Sequence, residues 1–403
     1  MKPETHFKTA HIELQLQRRA SYGNNSLRAW DAADEYLLEH FQDQLSGGNL
    51  NKIMILNDAF GALSTGFAYI NTNQGKSASI ITLSDSVVSH TAIQTNAKNN
   101  GIEAHDIQLV TSYDFDDYLA GSTLDLLVLK IPKSLAQLED NLRRLRAHID
   151  KNTVVIAAGM TKRIHNSTLA LFEKYIGPTK TSLAKKKARL IFSAVIQDSA
   201  QAEAEPPKLS EVSLYLSEKN INFTLASYPG VFSYGSLDFG TDFMLKSMQL
   251  MDSKDEGKEL HILDLGCGTG ALGIAAAKAL PKASVTFIDE SYAAIESVKT
   301  SLNLSGLGKE AQYNRLANNL LQGIDDSCFD LILNNPPFHD ASAKTRSIAL
   351  EMFAESRRTL KPNGQLQVIA NKHLGYHKNL KAIFGNCQTL AHNNKFVVLC
   401  AVK

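Results

Sequence analysis

The chain has 403 residues, 44% hydrophobic and 21% charged, with 42 Lys plus Arg against 41 Asp plus Glu. This is an ordinary globular composition, long enough for two cores, and the net charge of +1 excludes a chain-wide polyanion-binding surface, so any nucleic-acid contact must be a local patch. Four cysteines without Cys-x-x-Cys spacing argue against a disulfide framework or zinc site, and no run approaches the roughly 18 apolar residues of a membrane span.

The N-terminal stretch MKPETHFKTAHIELQLQRRA has no apolar h-region and does not read as a signal peptide. With the cysteine usage, this suits a reducing cytoplasm. Leu27–Leu38 follows an amphipathic helical pattern in which Trp30, the only tryptophan, is expected to pack in a core. Short apolar strands then alternate with helical patterns: KIMIL, ASIITL, LDLLVL and KKARLIFSAVI mark the strands of the first half. The stretch QDSAQAEAEPPKLSE, residues 197–211, is rich in Ala, Glu and Pro and lacks an apolar period. A boundary is placed there, with a first domain over 1–198, a linker over 199–211 and a second domain over 212–403.

The second half repeats the scheme. LHILDLG, ASVTFID, FDLILNN, GQLQVIAN and KFVVLCAVK read as strands, with helices between them. Five segment pairs match in order at a spacing of about 205 residues, among them KIMILNDAFGAL with HILDLGCGTGAL and LDLLVLKIPKS with FDLILNNPPFH. The expected fold is α/β: a duplicated, doubly wound Rossmann-like domain whose N-terminal copy is degenerate. Gly266, Gly268 and Gly270 face Asn57–Gly61, read as two residues shorter and retaining one glycine. Asn335-Pro336-Pro337-Phe338 faces Lys130-Ile131-Pro132-Lys133. The second copy is therefore the candidate active one.

LDLGCGTG, Leu263–Gly270, follows a strand and opens a helix, and its alternating glycines let a ligand approach the backbone. Asp264 at the strand tip could hold an ammonium group. Asp289, about 20 residues beyond the loop and ending the next strand, suits a ribose diol. Two cofactors compete. A dinucleotide would use Gly266, Gly268 and Ala271 as a G-x-G-x-x-A variant. S-adenosylmethionine, cationic and without a pyrophosphate, is favoured by the acid two residues before the first glycine. Cys267 lies inside the loop, where small size matters more than the thiol; no nucleophilic role is expected of it.

Proline cannot donate to a sheet ladder, so the strand FDLILNN must end at Asn335-Pro336. That tip lies across the crevice from the glycine loop. The amide oxygen of Asn335 and the Pro336 carbonyl could accept the two hydrogens of a planar exocyclic amine and aim its lone pair at a sulfonium methyl. Pro336 and Pro337 stiffen the loop, and Phe338 offers a stacking face. His339 reads as a local hydrogen-bonding group. Methylation of a protein glutamine side chain, a non-catalytic RNA-binding or assembly role and, more distantly, a nicotinamide dehydrogenase are the competing readings.

ILDLGCGTG followed by NNPPFH resembles class I S-adenosylmethionine-dependent amino-methyltransferases. With LRAWDAADEYLL, LNDAFGALS, KKARLI, VFSYGSLDFGTDFML and NKFVVLCAVK, the chain resembles the bacterial ribosomal RNA guanine-N2 methyltransferases, those acting on 23S rRNA above those acting on 16S rRNA. The resemblance implies that Asp264, Gly266, Cys267, Gly268, Gly270 and Asp289 hold S-adenosylmethionine, with Asn319 near the adenine and Asp238 and Gly240 covering the cofactor. It implies that Asn335, Pro336, Pro337 and Phe338 hold the guanine. It also gives the inactive half an RNA-docking task, for which Lys180, Lys185, Lys186, Lys187 and Arg189 form one cluster and Arg143, Arg144 and Arg146 another; a solvated charged face is the alternative for both. No metal and no membrane partner are expected. The family pattern is broken at Tyr234, where an arginine commonly follows Val-Phe-Ser.

Overall fold

A computed structural model describes residues 4–18, 27–44, 50–75, 77–196, 206–250, 259–308, 311–337 and 343–403. The chain divides into two compact units, Met1–Ala20 with Asn25–Glu205 and Ser21–Asn24 with Pro206–Lys403.

The first unit opens on a hairpin, β1 (His6–Lys8) and β2 (Glu13–Gln15), then α1 (Ala32–Gln44). There follow β3 (Lys52–Leu56), α2 (Ala62–Asn73), β4 (Ser79–Leu83), α3 (Val87–Asn99), β5 (Ile107–Val110), α4 (Phe115–Leu119) and β6 (Leu126–Lys130). The unit closes with α5 (Leu135–Leu145), β7 (Val154–Met160), α6 (Asn166–Tyr175), β8 (Thr179–Thr181) and β9 (Ala188–Ser193). Its seven-stranded sheet runs β5-β4-β3-β6-β7-β9-β8. The strands are parallel through β7, while β9 is antiparallel to both neighbours. Ile53 and Ile55 enter one hydrophobic core and Met54 and Leu56 the other, so a near-continuous apolar run is buried on both faces.

The second unit repeats this order: hairpin β10 (Lys208–Leu216) and β11 (Lys219–Ser227), α7 (Phe239–Leu245), β12 (His261–Leu265), α8 (Ala271–Ala279), β13 (Ser284–Asp289), α9 (Tyr292–Leu304), β14 (Tyr313–Ala317) and β15 (Phe329–Asn334). It ends with α10 (Ala343–Thr359), β16 (Leu360–Asn371), α11 (Tyr376–Phe384), β17 (Gln388–His392) and β18 (Phe396–Val402). Its sheet runs β14-β13-β12-β15-β16-β18-β17. In both units the strand order reverses beside the first central strand, which places the crevice at the C-terminal tips of β12 and β15.

The sheet registers correct one sequence expectation. Leu56 pairs with Leu129, and Leu265 pairs with Asn334. From these anchors Asn57–Gly61 aligns residue for residue with Gly266–Gly270, so the first-unit loop is not shorter. Its terminal glycine is even kept in the same left-handed shape, φ 86° and ψ 13° at Gly61 against φ 85° and ψ 16° at Gly270. The degenerate copy lost two glycines by substitution, not by deletion.

The duplication also reaches further than the five segment pairs. In the first unit Asn96 and Asn100 on α3 bond the backbone of Gln17 and Gln15, in the chain leaving β2. In the second, Ser297, Ser301 and Ser305 on α9 bond the backbone of Tyr228, Ala226 and Thr224 on and after β11. Each hairpin is tied to a helix by short polar side chains one turn apart, which satisfies an edge strand's backbone. Because β10 begins at Lys208, residues 208–211 belong to a strand and not to the linker placed over 199–211.

Candidate active site

The glycine loop crosses the tip of β12. Gly266 and Cys267 donate their N–H groups to the Ile288 carbonyl at the end of β13, which draws the two strand tips together. Gly268 has φ 53°, and a Cβ there would meet nothing within 4 Å, so the loop is open on that side. Its N–H is held by Asp289 Oδ2 at 3.0 Å, while Asp289 Oδ1 accepts from Ser291 N at 3.0 Å. Asn319, buried after β14, lies in the loop whose Asn318 N donates to the Asp289 carbonyl at 2.8 Å. The three strand tips therefore bring Asp289, Asn319 and the glycine loop to one rim.

Asp264 is placed differently from a strand-tip acid. It is 1% exposed, and its Oδ2 accepts from Gly273 N at 2.8 Å, inside the first turn of α8. Gly273 escaped the sequence reading. A Cβ on it would fall 2.3 Å from Phe287 Cε1 and 3.0 Å from Asp264 Cβ. In the first unit Ser64 and Thr82 occupy these two positions and join by their hydroxyls at 2.8 Å. The glycine makes room for the aromatic ring that floors the second-unit loop. Burial is the main cause that pushes Asp264 up to about 8, with the nearby Asp289 charge adding and the Gly273 N–H opposing. Burial likewise pushes Asp289 up to about 6. Cys267, buried beside both acids, has its thiol pushed well up and stays protonated at neutral pH.

The tip of β15 lies alongside β12. Asn334, fully buried, donates from Nδ2 to the Leu265 carbonyl at 2.7 Å and so ties the two tips together. Asn335 donates from Nδ2 to Thr241 Oγ1 at 2.8 Å and, at 3.5 Å, to Asp238 Oδ2. Its Oδ1 is buried and accepts no hydrogen bond among the described residues. A buried acceptor without a donor carries a desolvation cost that a ligand N–H would relieve. Pro336 is buried and Pro337 exposed. Phe338 and His339 lie outside the described residues.

Asp238 caps α7 by accepting from Thr241 N at 3.0 Å, and Gly240 is buried in the same turn. The structure thus sets Asp238 and Thr241 against Asn335; Thr241 and Asn334 had no local sequence signal. At the family departure, Lys208 Nζ stands 4.4 Å from the centroid of the Tyr234 ring.

The basic clusters of the first unit are partly consumed. Thr179–Ser193 is a β-hairpin with Lys186 and Lys187 at positive φ in its turn. Lys185 pairs with Glu39, and Lys186 pairs with Glu35 at 2.7 Å. Lys180, Lys187 and Arg189 remain exposed and make no ion pair among the described residues. Arg143 and Arg144 pair with Asp140 at 2.7 and 3.4 Å, Arg144 also pairs with Asp116, and Arg146 bonds the Ile149 and Ile196 carbonyls. That second cluster braces the fold.

Two family models match the chain: an RLMG N-terminal domain over residues 4–197 and a methyltransferase small domain over residues 222–400. A ribosomal RNA large subunit methyltransferase G from Psychromonas ingrahamii is 40% identical over 395 residues, 97% of each chain. The Streptomyces griseus protein of the same name is 39% identical over 400 residues, 98% of this chain and 99% of its own. The chain belongs to the ribosomal RNA large subunit methyltransferase G family. A T. thermophilus 16S rRNA N2 guanine methyltransferase, solved with AdoMet and guanosine, shares the fold at a TM-score of 0.72 and 19% identity, covering 99% of this chain and 97% of its own. The two units are accordingly tandem class I methyltransferase folds, and this methyltransferase G family member carries its glycine loop in the second. Among the described residues no helix is long and apolar enough to cross a membrane.

Proposed function

We propose that the enzyme methylates the exocyclic N2 amine of one guanine in 23S rRNA, in the cytoplasm, with S-adenosylmethionine held on the second unit's glycine loop. The observation that carries this reading is the buried, unsatisfied Asn335 Oδ1 at the strand tip beside that loop. The loop fits the cofactor: Gly268 leaves the backbone open, Gly266 and Gly270 turn it at positive φ, and the carboxyl groups of Asp264 and Asp289 lie beneath it. Cys267, Asn319, Asp238 and Gly240 complete its surroundings. When bound, S-adenosylmethionine supplies an electrophilic methyl on a sulfonium.

The chain's own groups do the rest. Asn335 Oδ1 and the Pro336 carbonyl accept the amine's two hydrogens, turning the nitrogen lone pair out of the purine plane. As positive charge grows on that nitrogen, the same two dipoles already point at it. Pro336 and Pro337 hold them still. The first unit docks the RNA through Lys180, Lys187 and Arg189, whose charges are not spent internally, while Lys185 and Lys186 must exchange Glu39 and Glu35 for phosphate.

Transfer of tritium from labelled S-adenosylmethionine into ribosomal RNA and protein fractions tests the substrate, together with mass spectrometric mapping of rRNA from a strain lacking this gene. The expected result is label in 23S rRNA and loss of one N2-methylguanine there. Label in 16S rRNA or in protein would replace the proposal.

The raised carboxylates predict a pH dependence. A cationic ligand requires Asp264 and Asp289 ionised, so association should tighten between about pH 6 and about pH 9 and release protons. In the ligand-free protein the raised folded-state value of Asp264 adds stability below the unfolded carboxylate's range, and that contribution is lost as pH rises through about 8. Calorimetric titration in two buffers of different ionisation enthalpy measures the linkage; proton-neutral binding would detach these acids from the ligand's charge.

A further inference from the structure

We infer that Thr241 is a positioning residue: its hydroxyl, held by Asp238, fixes which end of the Asn335 amide faces the substrate amine. This rests on the reading of Asn335 as the amine's acceptor.

An amide side chain has a donor end and an acceptor end of nearly the same shape. Turned one way, Asn335 offers Oδ1 to an N–H; turned the other, it sets an NH2 against an NH2 and repels. The strand tip alone does not choose between them. The choice is made across the crevice wall. Asn335 Nδ2 lies 2.8 Å from Thr241 Oγ1 and 3.5 Å from Asp238 Oδ2. Thr241 Oγ1 is itself 3.5 Å from Asp238 Oδ2, a group that only accepts. The hydroxyl proton therefore turns to Asp238, and the Thr241 lone pair turns to Asn335. Both groups facing Nδ2 are acceptors, so only the productive amide orientation is satisfied, and it leaves Oδ1 free and buried.

The first unit contains the same brace with a different tip. From the paired registers, Lys130 stands where Asn335 stands. Asp31 and Asp238 each immediately precede the first residue of their helices, α1 and α7, and Asp34 and Thr241 are each the third residue within. Lys130 Nζ is 2.8 Å from Asp31 Oδ1 and 2.6 Å from Asp34 Oδ1. Both copies thus tie the tip of the fourth strand to the N-terminal turn of the helix preceding the first. In the first unit the ammonium that reaches the acids is the tip's entire polar head; in the second the amide has an end to spare. The brace belongs to the fold, and the residue at the tip converts it into a substrate acceptor.

The test is a double-mutant cycle on the full-length enzyme with ribosomal RNA as substrate. Thr241→Val keeps the shape and removes the hydroxyl. Its single-turnover rate should fall on the order of 10-fold to 100-fold, as for loss of one orienting hydrogen bond to a reacting group, with the S-adenosylmethionine Kd within about twofold. Thr241→Ser should restore most of the rate. In an Asn335→Ala background, Thr241→Val should cost nothing further, because Thr241 acts only through that amide. Thermal melts establish folding, and Thr241→Ala takes the valine's place if that variant does not fold. A wild-type rate in Thr241→Val, an equal fall on top of Asn335→Ala, or a serine variant as slow as the valine would overturn the inference. If Asn335→Ala itself turned over normally, the acceptor reading would fail first, a distinguishable result.

Discussion

Asn335→Ala should lose on the order of 10² to 10³ in turnover while S-adenosylmethionine still binds, the scale seen on removing one preorganised polar group aimed at developing charge. The substitution leaves the glycine loop's hydrogen bonds in place: they run to Ile288, Asp289 and Gly273, none of which is hydrogen-bonded to the Asn335 side chain among the described residues. The β12–β15 tie also survives, because Asn334 makes it. What disappears is the acceptor. Single-turnover methyl transfer set against calorimetric cofactor binding separates the two effects, and unchanged turnover would remove Asn335 from the chemistry. Asn335→Asp should not rescue the alanine variant, since its carboxylate brings no N–H to Thr241 and sets a second negative charge beside Asp238.

Lys130→Met should destabilise the first unit by about 3–5 kcal/mol at pH 8, the range for removing one partner of a buried ion pair. Lys130 and Asp34 have side chains only 14% and 8% exposed, and Asp31 adds a second carboxylate at 2.8 Å. Burial alone would lower the lysine's pKa, but Asp34 and Asp31 together hold it above the usual range. Asp34 is pushed up to about 7, chiefly by burial. Without the ammonium it rises further. A carboxyl whose folded pKa is raised stabilises below its unfolded value and loses that contribution as pH rises through the folded one. The variant should therefore suffer less near pH 5 than at pH 8, and adding Asp34→Asn should recover a large part of the loss. Urea midpoints at the two pH values measure this; a pH-independent loss, or no recovery from Asp34→Asn, would show that the lysine matters for packing and not for charge.

These two sites show how much of the protein was legible before its structure. Asp264, the three loop glycines, Asp289 and Asn335 stand within short stretches whose neighbours report on them: a strand end, a helix start, a proline pair. The repeat was legible because it recurs, but the equal loop lengths were not: the sequence read the first loop as shorter, and the registers at Leu56 and Leu265 correct it. The lysine run could not be read the same way. Whether Lys185 and Lys186 are free depends on Glu39 and Glu35, far away in the chain on α1. A charge run describes one side of a contact only.

By itself the sequence determined two doubly wound domains, the half that carries the glycine loop, and the asparagine at the strand tip, because hydrophobic period, turn chemistry and backbone freedom are local properties. Only the tertiary structure decided which end of that asparagine is available, that Thr241 and Asp238 hold it, and that Gly273 clears space for Phe287. Those facts are contacts between residues remote in the chain; Asn335 and Thr241 are 94 positions apart. A hydrogen bond is set by distance and direction in space, and a linear pattern encodes neither until the sheet brings its strand tips together.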